Sequence, residues 1–134
     1  MRGLLRKLFI ICIVLLIVAF VFWTAVPFSL ISDDANIVTI AVFDQGGTIK
    51  ELSSAQTETI LALFKEIKAY HYYLGGPEIT GDFIVSVIYE RNERPYHITV
   101  NVMKGESRVS INKDRTNAVI RGTSGLYEQL ESIL

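Results

Sequence analysis

The run from Leu8 to Phe28, Leu-Phe-Ile-Ile-Cys-Ile-Val-Leu-Leu-Ile-Val-Ala-Phe-Val-Phe-Trp-Thr-Ala-Val-Pro-Phe, holds no charged residue and follows Arg2, Arg6 and Lys7 directly. As a helix, Leu8–Val26 rises about 28 Å, close to the thickness of a bilayer's hydrocarbon core. Signal-peptide cores are shorter, roughly 7–15 residues, and end at a small-x-small site. Here Trp23 stands two residues before Ala25 and Leu30 two before Ser32, so neither position reads as such a site. Nor do small residues precede Cys12 as a lipoprotein signal requires. Trp23 and Phe28 suit the far interface, where aromatic rings settle. We therefore read residues 8–28 as an uncleaved transmembrane signal anchor.

The positive-inside rule orients it: residues 1–7 form a basic cytoplasmic tail, and Asp33-Asp34 emerge on the other side. Residues 29–36 then read as a tether to an extracytoplasmic domain, residues 37–134. Fully extended, Pro27 to Ala35 reaches roughly 30 Å, which keeps that domain against the membrane. Cys12, the one cysteine, lies in the apolar run, where it can form no intramolecular disulfide and reads as an apolar residue facing lipid.

The charge follows the same division. All fourteen Asp and Glu lie after position 32, with ten of the thirteen Lys and Arg, a net −4 there. A mildly acidic domain without a basic run has no electrostatic footprint for nucleic acid. About 100 residues remain for it, enough for one core.

Ile37–Phe43 is short and β-branched, a strand; Asp44-Gln45-Gly46-Gly47 predicts a hairpin turn and Thr48–Leu52 a returning strand. Ser53 and Gln56 have capping-box spacing. Beyond them Ile60, Leu63, Phe64, Ile67, Tyr70 and His71 fall on one helical stripe, which Gly75-Gly76-Pro77 would end. Three alternating runs follow. Phe83, Val85, Val87 and Tyr89 oppose Ile84 and Ile88; Ile98, Val100 and Val102 oppose His97, Thr99 and Asn101; Val109 and Ile111 oppose Arg108, Ser110 and Asn112. Asn117–Arg121 is a candidate edge strand, and Thr123 or Ser124 would cap a final helix bearing Leu126, Leu130, Ile133 and Leu134. The expected order is β-β-α-β-β-β-α, a two-layer α+β domain with a mainly antiparallel sheet and helices on its apolar face.

This layout resembles that of small membrane- or lipid-anchored proteins of Gram-positive bacteria, many of them in families of unknown function. The early hairpin over residues 37–52, the capped helix from Ser53, the meander through Asn112 and the ending Leu126–Leu134 carry the resemblance. It implies an envelope location and this fold, and brings no catalytic residues with it.

Chemistry is sparse. No Gly-x-Ser-x-Gly elbow accompanies the serines, and the glycine pairs lack the Walker lysine and dinucleotide spacing, so neither a catalytic set nor a cofactor is expected. His71 and His97 are far apart in sequence, and no metal cluster is expected. Two features remain as partner-binding candidates. One is the aromatic segment with Tyr70, Tyr72 and Tyr73, whose rings cannot all face one core. The other is the polar sheet face with His97, Thr99, Asn101 and Arg108. The leading expectation is a non-catalytic, membrane-anchored domain that binds another membrane or envelope component. An envelope hydrolase or modifying enzyme using His97 and a membrane-anchored immunity or inhibitor protein stand beside it as alternatives.

Overall fold

A computed structural model of the chain describes residues 1–32, 34–71, 82–112, 116–121 and 125–134, with Val38 as backbone only. The apolar run is one helix, α1 (Arg2–Ala25), 24 residues long with no residue buried. At about 1.5 Å per residue it measures about 36 Å, long enough to span the hydrocarbon core. Within it the Thr24 hydroxyl donates to the carbonyls of Phe20 and Val21 at 3.1 and 3.0 Å, so this polar group needs no water.

The rest is α+β. In chain order come β1 (Phe28–Ser29), β2 (Asn36–Asp44), β3 (Ile49–Lys50), α2 (Ser54–Glu66), β4 (Lys68–His71), β5 (Phe83–Arg91), β6 (Arg94–Val102), β7 (Ser107–Ile111), β8 (Ala118–Ile120) and α3 (Leu126–Ile133). The strands form one sheet in the order β1-β4-β8-β7-β6-β5-β2-β3, antiparallel at every pairing. Seven residue steps separate Ser29 from Asn36, a reach of about 25 Å at most. Along the sheet, six strand spacings, about 29 Å, lie between β1 and β2. The sheet is therefore curled, which brings its two edges towards each other.

The alternation read from the sequence sets the faces. Val85, Val87, Ile98, Val100, Val102, Val109, Ala118 and Ile120 are buried on one face, and they share a core with Ile60, Leu63 and Phe64 of α2 and Leu126 and Leu130 of α3. The capping box at α2 is complete: Ser53 Oγ accepts from Gln56 N–H at 3.2 Å and Gln56 Oε1 from Ser53 N–H at 2.9 Å. The Asp44 carboxylate ties the first hairpin turn, accepting from the amides of Gly46 and Thr48 at 3.0 and 2.9 Å, while Gly47 supplies the left-handed φ of 79°. The β5–β6 hairpin turns on Asn92 and Glu93 alone, both at positive φ, as a two-residue type I′ loop requires. Pro95 follows inside β6, beyond the last residue paired to β7, so its missing N–H costs no ladder bond there.

Five expectations are corrected. The helix does not run on through Tyr70 and His71: α2 stops at Glu66, and Lys68–His71 is strand β4 between β1 and β8. The same residues also fit a period of two, with Ala69 fully buried and Lys68 exposed, and pairing with two neighbouring strands selects it over the helical stripe. Strand β8 is internal rather than an edge. The returning strand shrinks to Ile49–Lys50. The cap of α3 is Gly125 at φ 64°; Thr123 and Ser124 lie outside the described residues, as do Asp33 and the Gly75-Gly76-Pro77 stop. The last residue of the stretch read as the anchor and the first of the tether form strand β1 (Phe28–Ser29), and the tether adds two core residues, Leu30 and Ile31, at 4% and 1% exposure.

Candidate functional site

The face opposite the helices collects the residues singled out in the meander, and adds one from the aromatic segment. Strand register aligns Phe43, Ile84, Asn101, Arg108, Val119 and Tyr70 in a single cross-strand row. Directly opposed residues project to the same side, so Tyr70 and Arg108 share a face, two strands or about 10 Å apart. The adjacent row is Ala41, Ser86, Thr99 and Ser110, and beyond it stand Thr39, Ile88 and His97. Tyr72 and Tyr73 lie outside the described residues.

This face is neither uniformly polar nor uniformly wet. Asn101 and Ser110 are 3% and 2% exposed, and the Asn101 Nδ2 has no hydrogen-bond partner among the described residues. Arg108 is half-buried and reaches Glu106 at 3.6 Å. His97 is exposed, beside an Ile88 that is 38% exposed. Its Nε2 lies 2.7 Å from Ser86 Oγ and 3.4 Å from Thr99 Oγ1, and its main-chain N–H donates to Asn112 Oδ1 at 2.7 Å. Ser86 was not among the sequence candidates. The signal for it was the two-residue Asn92-Glu93 loop, which fixes Ser86 opposite Thr99 and diagonal to His97.

A hydroxyl 2.7 Å from an imidazole is the contact a nucleophile–base pair needs. A hydrolase also needs a group to orient the base and donors for the oxyanion. Among the described residues no carboxylate bonds the His97 ring, and the ring stands in the open. No three of His, Cys, Asp and Glu are grouped as a metal site among the described residues. What the face presents is a set of hydrogen-bond donors and acceptors beside one exposed isoleucine, Ile88.

Two further features bear on function. Strand β3 covers only Val42 and Phe43 of β2, so Asn36–Ala41 has no strand on its outer side among the described residues. At the opposite edge, His71 is sandwiched between Trp23 of α1 (centroids 4.1 Å, planes 9° apart) and Phe28 of β1 (4.4 Å, 21°). Burial there lowers the His71 pKa below its ordinary 6.5. The Lys68 ammonium donates to Ser29 Oγ at 2.7 Å, so β4 is bound to both the helix end and β1.

No family model, curated protein or solved structure matches the chain.

Proposed function

We propose that the chain is a single-pass membrane protein with its N-terminus in the cytoplasm and its α+β domain outside, and that the domain binds another membrane or envelope component without catalysis. The single observation that carries the reading is the junction: a 24-residue apolar helix with no residue buried, whose last turn is stacked on the domain through Trp23 and His71. A signal sequence near the N-terminus also meets the length and composition that a membrane span needs. Removal of this one would strip Trp23 from the stack, and a cut beyond Phe28 would also take part of β1. That favours retention. Arg2, Arg6 and Lys7 before the span favour the N-in direction.

Recognition is assigned to the face bearing Tyr70, His97, Thr99, Asn101 and Arg108 and to the open β2 edge beside it, where an extended partner segment can add a strand. In this reading the chain is akin to the small anchored envelope proteins of Gram-positive bacteria that its layout resembles. Photo-crosslinkers placed at Thr39 and Thr99 in the membrane-embedded full chain test it. A discrete crosslinked partner lost on Arg108→Ala is expected; adducts to lipid alone would overturn the binding role. The Ser86–His97 contact favours a second reading, an envelope hydrolase. That reading requires a serine-directed phosphonate probe to label the protein and Ser86→Ala to abolish the labelling, whereas the binding reading requires no labelling.

A further inference from the structure

A cleft of about 310 Å³ opens where the C-terminal end of α2 meets β4, the end of β8 and α3, lined by Glu66, Ile67, Lys68, Tyr70, Arg121 and Gln129. This is the small end of the ligand-sized range, roughly 300–1,000 Å³. Its polar groups are two cations, one carboxylate, one amide and the Tyr70 hydroxyl, a net charge of +1 from side chains. Neither cation is ion-paired among the described residues. The Arg121 guanidinium lies over the Tyr70 ring, 4.1 Å from its centroid. Lys68 is held by Ser29.

The location restricts the ligand further. Ser29 is four residues beyond Ala25, the end of α1, so it stands within about 14 Å of the helix end, and Lys68 is its cross-strand partner, one strand spacing further on. His71, on the same strand, stacks on Trp23, and a tryptophan at the end of a span sits at headgroup depth. Strand β4 therefore lies at the level of the lipid phosphates. Cations at that depth attract anionic headgroups, and a net +1 matches a phosphodiester monoanion better than a phosphomonoester dianion, which Glu66 would repel.

We propose that this cleft holds the phosphodiester of an anionic lipid headgroup in the leaflet where α1 ends, with Arg121 and Lys68 on the phosphate and Gln129 on the headgroup's hydroxyls. The proposal rests on the anchored reading above. The headgroup bond fixes how the domain sits on the membrane, and so which part of its face a partner meets.

The test uses the full chain in nanodiscs of phosphatidylcholine, with or without phosphatidylglycerol, and follows amide exchange at residues 68–71 and 118–121. Phosphatidylglycerol should slow exchange there by at least about threefold. The effect should vanish in Lys68→Gln/Arg121→Gln and persist in Lys50→Gln, a charge removed from β3 at the far end of the strand order. Unchanged exchange in β5 and β6 reports that the double variant is folded; if it unfolds, Lys68→Gln alone, at an exposed side chain, should lose part of the effect. Equal exchange in the two bilayers, or equal loss in Lys50→Gln, overturns the proposal while leaving the anchor intact. Slowing reproduced in detergent by soluble glycerophosphoglycerol overturns the lipid as the source. Failure of the chain to co-elute with the discs overturns the anchor and this proposal together.

Discussion

At one edge of the sheet, β1 and β4 are sealed. Ala69 is fully buried, Leu30 and Ile31 run into the core, and His71 is closed between the rings of Trp23 and Phe28. At the other edge, β3 covers two residues of β2, Thr39 is exposed, and Ile49 is 61% exposed. An uncovered edge of β-branched residues is ordinarily an aggregation hazard that proteins blunt with charge or proline. Asn36–Ala41 carries neither. One edge is thus committed to the apolar helix, and the other is left open among the described residues, which is the arrangement that the proposed anchored, partner-binding role requires.

The sharpest way to break this comparison is to truncate one isoleucine at each edge. Ile31→Ala, at a fully buried side chain, should cost about 2–5 kcal/mol. Ile49→Ala should change stability by no more than about 0.5 kcal/mol. Urea unfolding in a fixed detergent measures both, and similar losses would mean that the edges are not distinct.

A smaller effect is expected at the junction. Trp23→Ala removes one ring contact, worth about 0.5–1.5 kcal/mol beyond its buried area. It should raise proteolytic nicking around Val26–Pro27 while exchange in β5 and β6 stays unchanged. The same junction gives the sealed edge a pH dependence. Because the folded His71 pKa lies below 6.5, the unfolded chain binds the proton more readily. This group's contribution is intact above pH 6.5 and is lost as the pH falls from there through the folded value. His71→Phe, which keeps the stack, should flatten the slope of melting temperature against pH between 7 and 5; an unaltered slope would place its origin elsewhere.

The smallest effect on stability belongs to Thr39→Lys on the open edge, within about 0.5 kcal/mol. It should nonetheless abolish partner recovery if β2 pairs with an added strand. Full recovery would move the binding surface away from this edge.

The contrast between the edges also separates what the sequence discloses from what it does not. Strands β2, β5, β6 and β7 are legible because each alternates long enough to define two faces, and α2 because Ser53 and Gln56 mark its start. The sealed edge is not legible. Phe28–Ser29 is two residues long and exists only through its partner β4, and Ile67-Lys68-Ala69-Tyr70-His71 satisfies a helical and a strand period equally. Tertiary pairing decides such segments. The candidate face shows the same division. His97, Thr99, Asn101 and Arg108 follow from alternation, whereas the alignment of Tyr70 with Arg108 depends on β4 and β8 being neighbours. The burial of Asn101 and Ser110 on a face that reads as solvated was likewise invisible to a periodicity of two.

The proposed role of the protein depends first on which side of the membrane its domain lies. Protease added to intact cells expressing the full chain, with a C-terminal epitope followed on blots, measures that. The topology proposed here predicts that the epitope is lost from intact cells at the same protease dose that removes it after lysis, and that the undigested protein fractionates with membranes at its full, unprocessed length. An epitope protected until lysis, or a soluble product shortened by the apolar run, would contradict it.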